Sequence, residues 1–272
     1  DFSDCSLEDF HLSALALGRP FGFIEKQGVG ETISLAVRET RKFVRTNTNL
    51  GIILLLAPLG MAWCRVVKDG TSHYGDKSTL QYLWKKEIGS VLAELTLEDA
   101  DDVYQAIRLA APSGMGEVQE HDVAREEAPG ITLLEAMKLA AERDMIARQY
   151  LNNFQQVFDV GFPTLNRALA DGLSLPQAVA HTHLFLLSQY PDSLIARKLG
   201  PDLSQEVRKR ALTAWEAGGW HSVKGKDYLE KLDRWLRKDG HRLNPGTTAD
   251  LTAATIFVHV LINDHHVASQ KE

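Results

Sequence analysis

Apolar residues recur along this chain at helical spacing, and no segment sustains the apolar–polar alternation of a half-buried strand. The most apolar stretch, Leu50 to Cys64, contains no charge. It is shorter than the roughly 20 residues a membrane span needs, and Pro58 and Gly60 interrupt it. It therefore predicts a helix buried on all sides, with Leu54, Leu55 and Leu56 at the centre of a helical domain. Thr46-Asn47-Thr48-Asn49-Leu50-Gly51 leads into it. Asn and Thr there read either as plain caps or as the lining of an anion site, since a helix N-terminus presents free N–H groups and a positive dipole end.

The rest of the chain reads as further helices. Ser6 to Leu17 opens with a capping-box pattern, and Arg19-Pro20-Phe21-Gly22 breaks it. Gly30-Glu31 opens a second helix, the buried helix follows, residues 66–78 read as a solvated loop, and Thr79 to Leu95 as another helix. Thr96-Leu97-Glu98-Asp99 is an N-terminal signature for a helix ending near Pro112. After an acidic loop from Glu117 to Glu127, one long helix is expected from Thr132 to Asp159, stopped by Gly161-Phe162-Pro163. Shorter helices follow at 164–171, 175–189, 192–199, Leu203–Ala217 and Tyr228–Arg237, and a final one opens after Leu243-Asn244-Pro245-Gly246 and runs to about Asp264. With no repeat and no low-complexity linker, the fold class is all-α: one multi-helix globular domain over residues 1–272 around a buried central helix.

Composition narrows the function. A net charge of −6 argues against a nucleic-acid binder working through a broad basic face. Cys5 and Cys64 are the only cysteines, with no CxxC, which indicates neither a disulfide framework nor a thiolate metal site and fits a reducing cytoplasm. Neither a signal peptide nor a membrane partner is expected. The sequence starts at Asp1 without a methionine, so an upstream segment is expected to be missing.

Charges on apolar faces single out candidate residues. On the expected 132–159 helix, Glu135, Lys138, Glu142, Gln149, Asn153 and Gln156 form a polar face. Asp144 and Arg148 lie opposite, in line with Leu133, Met137, Ala140 and Leu151, four apart and able to pair. Such a pair is either a structural ion pair or a functional one. On the last helix Asp250 lies in line with Ala254, Phe257 and Leu261. Thr247 and Asp250 also fit a capping box, and Pro245-Gly246 suits close approach of a ligand to the helix end. Asp192 reads as an N-cap, with Arg197 and Lys198 available to phosphate oxygens. Glu117, Glu120 and Asp122 can hold a hard cation or remain a solvated acidic loop. His181-Thr182-His183 and His265-His266 lack the spacing of a helical zinc pair and read as structural or surface residues.

Taken together, these stretches resemble the triphosphoribosyl-dephospho-CoA synthase family. The resemblance rests on Asn47-Thr48-Asn49-Leu50-Gly51 opening the buried helix, on Arg148, on Asp192 with Arg197, and most specifically on Pro245-Gly246-Thr247-Thr248-Ala249-Asp250. It implies an all-α fold and a transferase in which the 2′-hydroxyl of dephospho-CoA displaces adenine from C1 of ATP's ribose and keeps the triphosphate. Better-known members carry His-Lys where this chain has Asn49-Leu50, and an upstream Lys-Pro-Gly segment. The sequence looks closer to a branch of methanogens and methylotrophs, where a one-carbon cofactor precursor is an alternative acceptor. A non-catalytic nucleotide- or CoA-binding protein is the other reading. Within the resemblance, Asp144 and Asp250 are the expected catalytic carboxylates. Asn47, Asn49, Gly51, Gly114, Gly116, Arg148, Asp192, Arg197, Lys198, Asn244, Gly246 and Thr247 are expected to bind substrate. Mg²⁺ is expected with ATP, held by Asp122.

Overall fold

The computed structural model describes residues 6–68, 76–111, 130–238, 240 and 242–269. Among them there is no strand, and the chain is all-α. The N-terminal half runs α1 (Leu7–Ala16), the short α2 (Gly18–Gly22), α3 (Ile24–Arg41), α4 (Leu50–Lys68), α5 (Lys77–Ala93) and α6 (Leu97–Ala110). Capping boxes at Ser6/Asp9 and Thr96/Asp99 open α1 and α6 where the sequence signals placed them. The second helix starts earlier than expected, at Ile24. It absorbs Gly28 as a kink at φ 84°, and Asp99 then accepts from the Gly30 N–H at 2.7 Å, capping the segment beyond the kink from a different helix.

Helix α4 is the hub, with α3, α5, α8 and α14 packed on it. Ile53, Leu55, Ala57, Leu59 and Ala62 are fully buried, Leu54 nearly so, and Leu56 packs at the edge of the same cluster. By length and hydropathy α4 alone among the described helices could cross a membrane, and its burial among its neighbours accounts for its apolarity. Pro58 lies inside it. A proline has no N–H for the carbonyl four residues back, so the buried Leu54 oxygen needs another donor. The Tyr150 hydroxyl supplies it at 2.6 Å. One turn on, the Trp84 indole donates to the Leu59 oxygen at 2.9 Å. A side chain from α8 thus replaces the N–H that Pro58 lacks, and one from α5 adds a further bond to α4.

The expected long helix at 132–159 does not form. It is α7 (Leu133–Ala140), then α8 (Met145–Leu151), then a π-helical turn (Gln156–Gly161) that runs into α9 (Phe162–Ala170) without stopping at Pro163. Asp144 breaks it first by capping α8. Asn153 and the buried Phe154 then take positive φ values of 53° and 58°. A wheel drawn through these breaks loses phase. Gln149 and Gln156, expected on a polar face, are buried and hydrogen-bonded to each other at 2.8 Å, whereas Leu151 is exposed.

The C-terminal half adds α10 (Leu175–Gln189), α11 (Ser193–Leu199), α12 (Pro201–Glu216), a 3₁₀ turn (Gly219–His221), α13 (Val223–Leu236) and α14 (Gly246–Ser269). Leu184, Leu187, Ile195, Val207, Ala211, Ala214 and Leu232 make a second core between α10 and α13. Helix α14 returns to the main core and packs on α4, α5, α8, α9, α10, α11 and the π turn.

Candidate active site

The site forms where α4, α8, α11 and α14 begin. Its centre is Asp192, 1% exposed. One carboxylate oxygen caps α11, accepting from the Leu194 and Ile195 N–H groups at 3.0 and 3.1 Å. The other accepts from the Thr248 N–H and hydroxyl, both at 2.8 Å, and so caps α14 from outside. Burial raises the pKa of Asp192 above the ordinary aspartate range, against the pull of these four donors. The next residue, Ser193, accepts from the Met145 N–H at 3.2 Å and donates to the Thr247 hydroxyl at 3.0 Å, which ties α8 to α11 and α14.

Asp144 caps α8 through the Ile146 and Ala147 N–H groups and uses its second oxygen for an ion pair with Arg197 at 3.1 Å. Asp250 differs from both. Its side chain keeps some accessible surface, yet no residue among those described donates a hydrogen bond to it. It lies against Gly51 so closely that a Cβ there would collide with the carboxylate. Glycine is what lets α4 and α14 approach this tightly. Enclosure by protein raises the pKa of Asp250 well above the ordinary aspartate value. Asp192 and Asp144 add to the rise, and Arg197 opposes it. Three carboxylates and one guanidinium therefore meet beside the N-termini of two long helices, whose dipoles favour an anion.

A family profile, "CitG: ATP:dephospho-CoA triphosphoribosyl transferase", matches residues 1–268. The chain belongs to this family. It is 29% identical over 105 residues to the 2-(5''-triphosphoribosyl)-3'-dephosphocoenzyme-A synthase of Klebsiella pneumoniae, a match covering 39% of this chain and 37% of that protein. A second relative, the "Probable 2-(5''-triphosphoribosyl)-3'-dephosphocoenzyme-A synthase" of Pseudomonas syringae pv. tomato, is 28% identical over 110 residues, 40% of this chain and again 37% of the relative. The chain thus spans little more than a third of the curated relatives it matches. A crystal structure of a "putative triphosphoribosyl-dephospho-coA synthase" from Archaeoglobus fulgidus superposes with a TM-score of 0.66 at 25% identity, covering 91% of this chain and 96% of that one.

Of the residues expected at the site, the fold brings Gly51, Asp144, Asp192, Arg197, Gly246, Thr247 and Asp250 together. Gly246 is needed for contact, since a Cβ there would come within 2.5 Å of Leu194. Asn244 sits beside it, its carbonyl accepting from the Gly246 N–H. Asn47 is exposed and caps α4 through the Leu50 N–H at 3.1 Å. The Asn49 amide points the other way, donating to Thr40 at 3.1 Å and towards the Ser13 carbonyl. Lys198 is exposed beyond Arg197, with no ion pair among the described residues.

Two expectations are corrected. Arg148 does not pair with Asp144. Its guanidinium turns back to the Ala141 and Glu142 carbonyls beyond the end of α7, because Asp144 is occupied by its cap and by Arg197. The capping box between Thr247 and Asp250 does not form. Asp192 already caps α14, which leaves the Asp250 side chain facing α4. Gly114, Gly116, Asp122, Glu117, Glu120 and the side chains of His265 and His266 lie outside the described residues. By sequence alone Ser193 has no assigned role and Thr248 is only part of the helix-start motif. Both are small hydroxyl residues beside a capping aspartate, a pattern that signals only a helix start.

The Gly51–Asp250 contact is testable. Gly51→Ala is expected to destabilise the fold by about 1–3 kcal/mol, as overpacking does. The loss should shrink in an Asp250→Ala background, read by urea unfolding as a double-mutant cycle. An unchanged loss would refute the contact.

Proposed function

We propose that this protein transfers the triphosphoribosyl group of ATP to the 2′-hydroxyl of 3′-dephospho-CoA with release of adenine. The observation that carries this reading is the meeting of Asp144, Asp250 and Arg197 at the starts of α4 and α14 in a chain of this family. Breaking the bond from ribose C1 to adenine builds positive charge on the sugar, as glycosyl transfer generally does. An ionised carboxylate beside C1 stabilises that charge. The triphosphate needs the opposite surroundings, and Arg197 with the two helix ends supplies them. Mg²⁺ is proposed to enter with ATP. A magnesium that arrives with ATP is held chiefly by phosphate oxygens with one or two carboxylates.

The direct test is to incubate the protein with ATP, Mg²⁺ and dephospho-CoA and follow free adenine and the acceptor's mass. Adenine release that depends on the acceptor is the expected result. ATP binding without adenine release would reduce the protein to a nucleotide binder.

Arg197 offers a second test. The side chains of the Arg197–Asp144 pair are 30% and 23% exposed, so the pair contributes at most about 1 kcal/mol to stability. Arg197→Gln should therefore melt near the parent temperature. If the guanidinium holds phosphate, ATP affinity should fall by roughly 10–100-fold, the equivalent of a charged hydrogen bond. Unchanged affinity by calorimetry would remove Arg197 from the triphosphate site.

A further inference from the structure

We propose that Asp250 is the acid that protonates adenine as it leaves, and that Asp144 takes the proton of the attacking hydroxyl. The assignment rests on the transfer reading above and divides two carboxylates that sequence alone leaves equivalent.

The division follows from what holds each group. Asp192 receives four hydrogen bonds, and Asp144 receives two N–H groups and a guanidinium. Every one of those partners favours a negative charge. Asp250 receives none among the described residues and is pressed against the backbone at Gly51. The charged groups acting on it are Asp192 and Arg197 from α11 and Asp144 from the start of α8. From α4 there is no charge between Leu50 and Cys64, and α14 brings no second charge into its first three turns. His183 on α10 is turned to Thr252, and Asp159 in the π turn is paired with Lys85. A site holding three carboxyls and one guanidinium retains a proton most readily on the carboxyl that lacks donors among the described residues. The upward shift of Asp250 agrees with that geometry. Two carboxyls whose surroundings separate their proton affinities are the usual basis of an acid–base pair.

The chemistry balances without a further reactant. The bond from C1 to adenine breaks and its electrons leave with the base. The Asp250 proton goes to an adenine ring nitrogen. The acceptor oxygen bonds to C1, and its proton passes to Asp144. Solvent then restores the proton to Asp250 and removes it from Asp144.

A leaving-group comparison tests this. Wild type, Asp250→Asn and Asp144→Asn are assayed with dephospho-CoA and either ATP or 6-chloropurine riboside 5′-triphosphate, whose base leaves readily without protonation. The expected result is a large defect for Asp250→Asn with ATP that shrinks by an order of magnitude or more with the chloropurine donor. The Asp144→Asn defect should be alike for both. Equal Asp250→Asn defects with the two donors, in a wild type that releases adenine, would sink the acid assignment alone. A wild type that releases no adenine would sink the transfer reading itself. Infrared difference spectroscopy reads the proton separately. A neutral-carboxyl stretch at neutral pH, present in wild type and lost in Asp250→Asn, supports the assignment, and a wild type without that band overturns it.

Discussion

Asp250→Asn is expected to lower turnover by about 10²–10⁴, the range for loss of an acid or base catalyst, without unfolding the protein. The reason for the intact fold is geometric. Asp250 caps nothing and receives no hydrogen bond from the described residues, so asparagine removes no contact that holds α14 in place. Stability should in fact rise. The folded protein keeps the Asp250 proton to a higher pH than the unfolded chain does, because enclosure and two nearby carboxylates penalise its charge. Below the ordinary aspartate value the carboxyl is neutral in both states and contributes nothing. As pH climbs from there through the raised folded value, the folded state must either hold a proton or carry a penalised charge, and stability falls. Asparagine never ionises. The melting temperature of Asp250→Asn should therefore match wild type in acid and exceed it by a growing margin towards neutral and alkaline pH. A variant that melts lower than wild type at every pH, with full turnover, would make Asp250 a structural residue.

Asp192→Ala should do the reverse. It is expected to cost roughly 2–4 kcal/mol, combining two lost helix caps at about 1 kcal/mol each with buried N–H groups left unpaired. Those groups are the Leu194, Ile195 and Thr248 amides, which one buried carboxylate satisfies together. Asparagine is no rescue here. Its NH₂ would face either the Thr248 N–H or those of Leu194 and Ile195, donor against donor. The measurement is urea unfolding with an unchanged m-value. A midpoint within experimental error of wild type would mean that the join between α11 and α14 does not depend on Asp192. Two aspartates of one site thus move stability in opposite directions, which sorting by residue type or burial alone would not reveal.

Much of the architecture was legible in order along the chain. Capping boxes at Ser6 and Thr96, the uncharged run after Leu50 and the N-cap at Asp192 are local signals, satisfied by residues within a turn of one another. The failures have a shared cause. A helical wheel assumes unbroken phase, and Asp144, Asn153–Phe154 and the π turn each reset it. An unbroken wheel pairs Arg148 with Asp144 and puts Gln149 on a polar face, whereas Arg148 bonds carbonyls beyond α7 and Gln149 is buried. Thr247–Asp250 fits a capping box by spacing, but the competing cap comes from Asp192, more than fifty positions away.

By itself, the sequence determined the all-α class, the buried centre at α4 and the short list of charges too costly to bury without a purpose. Those follow from hydrophobic period and from the expense of desolvating a charge. Only the tertiary structure decided how those charges differ. Asp144, Asp192 and Asp250 are alike as letters, each at or near a helix start. Packing gave the first an arginine and an N-terminus, the second four donors from two helices, and the third a glycine with no donor among the described residues. A carboxyl's proton affinity is set by its neighbours in space, and those neighbours come from helices far apart in the chain.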